Sequence, residues 1–89
     1  MAEIVITEGF VEDITQVYLD SKREEIWYAV SLLEYTPEMG SRILPASIQR
    51  RFGESVYKIV VNPFDVIYRY SSEQDKVYIV GLVHQRTAK

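Results

Sequence analysis

Three runs of β-branched and aromatic residues towards the C-terminus constrain the fold more than any other feature of the chain. They are Val56-Tyr57-Lys58-Ile59-Val60-Val61, Phe64-Asp65-Val66-Ile67-Tyr68-Arg69-Tyr70 and Lys76-Val77-Tyr78-Ile79-Val80-Gly81-Leu82-Val83. Residues of these types suit the pleated surface of a sheet, so each run is expected to be a strand. Asn62-Pro63 marks a tight turn between the first two, and Ser71-Ser72-Glu73-Gln74-Asp75 is a polar loop before the third. Connections this short join antiparallel neighbours. Along the middle strand, a period of two puts Val66, Tyr68 and Tyr70 on one face and Asp65, Ile67 and Arg69 on the other.

The preceding residues change period. Glu3-Ile4-Val5-Ile6-Thr7 is short and β-branched and is expected to be a first strand. From Glu8 to Asp20, Phe10, Ile14, Val17 and Tyr18 recur at helical spacing, opposite Glu12, Asp13, Gln16 and Asp20, with Thr7 placed to cap the helix. Ser21-Lys22-Arg23-Glu24 has the pattern of a capping box and predicts the start of a second helix. Ile26, Val30 and Leu33, widened by Trp27 and Leu32, form its apolar stripe until Pro37 and Gly40 stop it. Ser41 to Gly53 has no sustained period, carries Pro45, Arg42, Arg50 and Arg51, and reads as an irregular or short helical crossing.

The expected fold is therefore α+β: an N-terminal strand, a helix hairpin, then three antiparallel strands in one sheet with the helices on one face. The Tyr68 face is assigned to the helices. That leaves the face of Ile67 and Arg69 open, an apolar and cationic mixture suited to binding. The 89 residues form a single domain, 1–89, that buries only roughly 60–65% of its unfolded surface, so a partner can matter to its stability.

Composition removes several classes of function. Without cysteine and with one histidine, neither a disulfide framework nor a thiolate or multi-histidine metal site can form. No phosphate-binding loop, dinucleotide fingerprint, nucleophile elbow or paired-carboxylate motif is present, so no cofactor is expected. There is no basic and apolar leader, nor an apolar run near the ~20 residues that span a bilayer, so a cytoplasmic protein without a membrane partner is expected. The net charge of −3 conceals an asymmetry: residues 1–40 carry −7 and residues 41–89 carry +4. An anion would meet positive potential only in the second half.

His84 is the one side chain whose ordinary pKa lies near neutrality, and it follows the last strand with Arg86 two residues on. Cleavage of RNA by transesterification needs a base, charge stabilisation and an acid. His84, Arg69 and Arg86 are the candidates for that catalysis, with Lys58, Arg50 and Arg51 as candidate substrate-binding cations. On composition alone a partly exposed tail is the better account of His84 and Arg86, and a local ion pair is the ordinary account of Asp65 and Arg69.

The helix hairpin closing with Leu33, Pro37 and Gly40, then Tyr57-Lys58-Ile59, the strand Val66-Ile67-Tyr68-Arg69, and the last strand ending in Val83-His84-Gln85-Arg86, together resemble the RelE/ParE toxin superfamily. The resemblance implies the toxin of a bacterial type II toxin–antitoxin pair, neutralised by a small antitoxin that wraps the sheet and helices. It implies ribosome-dependent mRNA cleavage or inhibition of DNA gyrase, with ribosome and mRNA, or gyrase, as target. The alternative is an inactive protein-interaction module on the same fold. Three features depart from the ribonuclease members: Asp65 three residues before Tyr68, where many carry arginine, the net acidic charge, and the absence of an aromatic residue after Arg86.

Overall fold

A computed structural model describes residues 1–86. Its elements run β1 (Glu3–Ile6), α1 (Glu8–Ile14), α2 (Asp20–Leu32), α3 (Ala46–Phe52), β2 (Tyr57–Val61), β3 (Phe64–Ser71) and β4 (Lys76–His84). The four strands form one sheet in the order β1-β4-β3-β2. β2, β3 and β4 are antiparallel neighbours, as the short connections require, whereas β1 joins the far edge parallel to β4 with Ile4 opposite Val77. Among the described residues no helix is long and apolar enough to cross a membrane.

Thr7 caps α1 as its position suggests, its hydroxyl accepting the Phe10 N–H while donating to the Ile79 carbonyl of β4. The helix stops at Ile14, short of the expected Asp20, although Val17 is still buried in the turn that follows. The second helix starts at Asp20 with Leu19 in the cap position, and the expected capping box at Ser21 does not form. Arg23 provides the reason. Its guanidinium reaches back to the carbonyls of Val17 and Tyr18 and to the Asp20 carboxylate, closing the α1–α2 turn from inside. A carboxylate in the first turn also favours the helix dipole.

The larger core lies between this hairpin and the sheet. Phe10 and Ile14 of α1, Ile26 and Val30 of α2 and Leu33 meet Val66, Tyr68, Val77, Ile79 and Leu82. The Tyr68 face thus packs on the hairpin, as alternation predicts. Its hydroxyl accepts the Gly40 N–H at 2.9 Å, tying the end of the α2 connection to the sheet.

The opposite face is not open, which corrects the sequence expectation. The crossing segment contains α3, and Leu44, Ile48 and Phe52 close over Ile67, Val56 and Val83 in a second, smaller core. α1 and α2 share one face while α3 covers the other. Two local features make this possible. Gly81, opposite Ile67, has no side chain, and the Phe52 ring lies where its Cβ would stand. A shift in register between Ile67 and Tyr68 turns the Leu82 N–H out of the ladder, where Asp13 Oδ2 accepts it at 2.9 Å. The same carboxylate lies 3.9 Å from Arg51, so Asp13 links α1, β4 and α3.

Candidate functional site

The residues expected to form one catalytic cluster are divided by the sheet. His84 ends β4 opposite Phe64 and packs edge-to-face on that ring, 5.2 Å between centroids, on the hairpin side. Arg69 lies five residues further along β3, about 17 Å at the usual strand rise, and points to the α3 side. Its guanidinium donates to Ser55 Oγ at 2.8 Å and to the Phe52 carbonyl. It therefore completes the C-terminal end of α3, where orphan carbonyls and the helix dipole favour a cation. Asp65 is not its partner, so the expected local ion pair between them is absent.

Arg86 stays close to His84 through the backbone: its N–H donates to His84 Nδ1 at 3.1 Å. With Nδ1 accepting, the neutral ring carries its proton on Nε2. Arg86 itself is exposed. Lys58 does not join them. It lies on the α3 face of β2 with Nζ 3.9 Å from the buried Asp65 carboxylate. Arg50 and Arg51 are exposed in the last turn of α3, the latter over the Phe52 ring and near Asp13. Arg42, also in the basic half, stacks over the Tyr57 ring on the hairpin side at 5.0 Å.

What the structure does assemble around His84 is apolar. A pocket of about 460 Å³ opens beside the α1–α2 turn, walled by Val17, Tyr18, Leu19, Pro63, Phe64 and His84. Tyr18 is 96% exposed and Leu19 65%, on the rim of this pocket. Lys22 stands at its edge, engaged by Glu25 and by the Asn62 carbonyl at 2.6 Å. Sequence reasoning placed Tyr18 on the buried stripe of a longer helix and gave Leu19 no role. No local pattern in the sequence separates these two side chains from core residues. A second groove, of about 450 Å³, runs between the outer edge of β1 and α2, lined by Ile4, Ile6, Trp27 and Val30 with Glu3 and Glu34 at its margins.

Two phenolic groups on β3 have displaced proton affinities. Burial pushes Tyr68 up to about 12, opposed by the Gly40 hydrogen bond, which favours the phenolate. Tyr70 is raised by burial and by its hydrogen bond to the Asp75 carboxylate. Both shifts hold the phenol protonated, so neither tyrosine is a base near neutral pH.

This architecture is RelE-like. The chain superposes on one from the intact Escherichia coli RelBE toxin–antitoxin complex with a TM-score of 0.70 at 13% identity, covering 94% of this chain and 96% of that one. It also matches one from the Mycobacterium tuberculosis RelBE2 toxin–antitoxin complex, with a TM-score of 0.64 at 18% identity over 93% of this chain and 96% of that one. No protein-family model matches the sequence, and neither does any curated protein. At these identities the likeness defines the α+β fold with its helices and mixed sheet.

Proposed function

We propose that the chain is the toxin of a type II toxin–antitoxin pair, held inactive by a cognate antitoxin in the cytoplasm and arresting growth when released. The observation that carries this reading is a RelE-like fold over 94% of the chain, matched within toxin–antitoxin complexes. A fold alone admits many functions. The surface adds support, since the pocket under Tyr18 and Leu19 and the groove under Trp27 gather large exposed apolar side chains of the kind that partners cover.

Of the two activities implied by the resemblance, inhibition of DNA gyrase by protein contact fits the geometry better than mRNA cleavage. Cleavage requires a base, an acid and a cation converging on one phosphate. Here His84 and Arg69 occupy opposite faces, Arg69 is engaged at the end of α3, and Lys58 faces Asp65. His84 instead belongs to an apolar pocket that suits a protein side chain. Cleavage, as the second reading, rests on the exposed Arg50, Arg51 and Arg86.

Regulated expression in a bacterial host tests both levels. Growth arrest that is relieved by the product of any short frame adjoining the gene, with transcripts intact and supercoiling by purified gyrase lost, is the expected result. Cut ribosome-bound transcripts with gyrase unaffected would establish the second reading. Normal growth with tight binding to the adjoining product would leave an inactive interaction module and reject the toxin. His84→Ala and Tyr18→Ala should each relieve arrest in a chain that melts cooperatively.

A further inference from the structure

Asp65 is the one charged residue buried among those described, at 2% exposure. A carboxylate taken out of water is costly unless charge and hydrogen bonds compensate it. Two strands besides its own supply that compensation. Gln85, just beyond β4, donates its Nε2–H to Oδ1 at 3.2 Å. Lys58 of β2, diagonal to Asp65 across the β2–β3 ladder, brings Nζ to 3.9 Å from Oδ2. That separation is too long for a direct hydrogen bond, so the ammonium is held by charge and its N–H groups are not consumed by the carboxylate. The Lys58 side chain keeps 21% of its surface open to solvent.

An ammonium and an amide N–H converging from neighbouring strands are the donors that a phosphodiester oxygen takes. Here they converge on a carboxylate belonging to the protein. We infer that Asp65 is a selectivity residue, a resident anion that accepts the Gln85 amide, stands beside the Lys58 ammonium and excludes the phosphates of single-stranded RNA. A phosphate reaching Lys58 from solvent would come within roughly 6–8 Å of the Asp65 charge. At an effective dielectric of about 20, repulsion between unit charges at that range is worth more than tenfold in affinity.

The test is fluorescence anisotropy of a labelled oligouridylate over a range of salt. Asp65→Asn keeps an oxygen for the Gln85 amide and removes the charge. It should bind at least about tenfold more tightly than the wild type, with a salt slope steeper by about one. Combining it with Lys58→Gln should return affinity to the wild-type value. An Asp65→Asn protein that binds no better overturns the inference. So does a double variant as tight as the single, since Lys58 would then not be the donor that takes the phosphate. Should Asp65→Asn fail to fold, Lys58→Gln alone decides: unchanged RNA affinity supports an engaged lysine, and a several-fold loss overturns it. None of these outcomes bears on growth arrest, on which the toxin reading stands or falls.

Discussion

Replacing Tyr68 by phenylalanine removes one oxygen from the middle of the larger core and leaves the rest of the packing in place. Tyr68 is fully buried, its ring stacked on Tyr57 at 5.1 Å between centroids, and its hydroxyl accepts the Gly40 N–H at 2.9 Å. Phenylalanine retains the ring and the stack, so the change isolates the hydrogen bond. A buried donor left unmet costs about 1–3 kcal/mol, and because Gly40 is half-buried, water recovers part of this, giving about 1–2 kcal/mol. In a domain of this size each kcal/mol lowers Tm by about 4–8 °C, so the expected fall is about 4–16 °C. Thermal circular dichroism at neutral pH, paired with urea titration at unchanged m-value, measures it. The pH dependence supplies a second check. Burial pushes the folded phenol to about 12 from 10.0, so between those values the native state holds a proton that the unfolded chain has released. Its contribution is complete below pH 10 and is lost as pH rises towards 12. The stability gap between wild type and variant should therefore narrow across that window. Tyr70 is raised in the same direction but is present in both proteins and cancels from the difference. Equal melting at neutral pH, or a gap that stays constant into alkali, would refute the reasoning.

Three further changes probe how α3 is held. Asp13→Ala leaves the Leu82 N–H at the register shift without its acceptor and should cost about 1–3 kcal/mol, with faster hydrogen exchange at the Leu82 amide. In Gly81→Ala the new Cβ would lie 2.6 Å from Phe52 Cζ, so the ring must swing outward. Amides in 46–52 should then lose protection while α2 keeps its own, and unchanged protection in α3 would contradict the packing described. Arg69→Ala removes both contacts at the end of α3 and should lower stability by about 1–2 kcal/mol without relieving growth arrest at a permissive temperature. Relief of arrest in a folded Arg69→Ala protein would return this arginine to the site.

The parts of the fold legible from the sequence were those set by local periodicity. The three C-terminal strands, the Tyr68 face and the Thr7 cap follow from alternation and from one hydroxyl at a helix start. The end of α1 was misread because Val17 and Tyr18 extend the helical spacing past Ile14. Val17 is buried by the turn rather than by a helix face, and Tyr18 points into solvent. The covering of the second face was missed for a different reason. Leu44, Ile48 and Phe52 do repeat every fourth residue, but Pro45 and two arginines interrupt the pattern in a helix of only seven residues. The parallel pairing of β1 with β4 is set across most of the chain's length, and no local signal encodes it.

The candidate site was less legible because counting charges does not reveal where each charge is used. The +4 of residues 41–89 suggested an anion-binding face. In the structure four of those cations already serve the protein itself. Arg69 closes α3, Arg42 stacks on Tyr57, Arg51 covers Phe52 and approaches Asp13, and Lys58 faces Asp65. The carboxylates of the N-terminal half behave differently: Glu8, Glu12, Glu24 and Glu38 are exposed, while Glu25 pairs with Lys22. Charges satisfied internally contribute little to the field felt at a distance, whereas exposed carboxylates contribute directly. Around Tyr18 and His84 the pocket wall is apolar, with Lys22 engaged by Glu25 and by the Asn62 carbonyl, which leaves apolar contact as the means of binding. The same side of the chain that lacks a phosphate-binding cluster therefore carries the surface best suited to a protein partner.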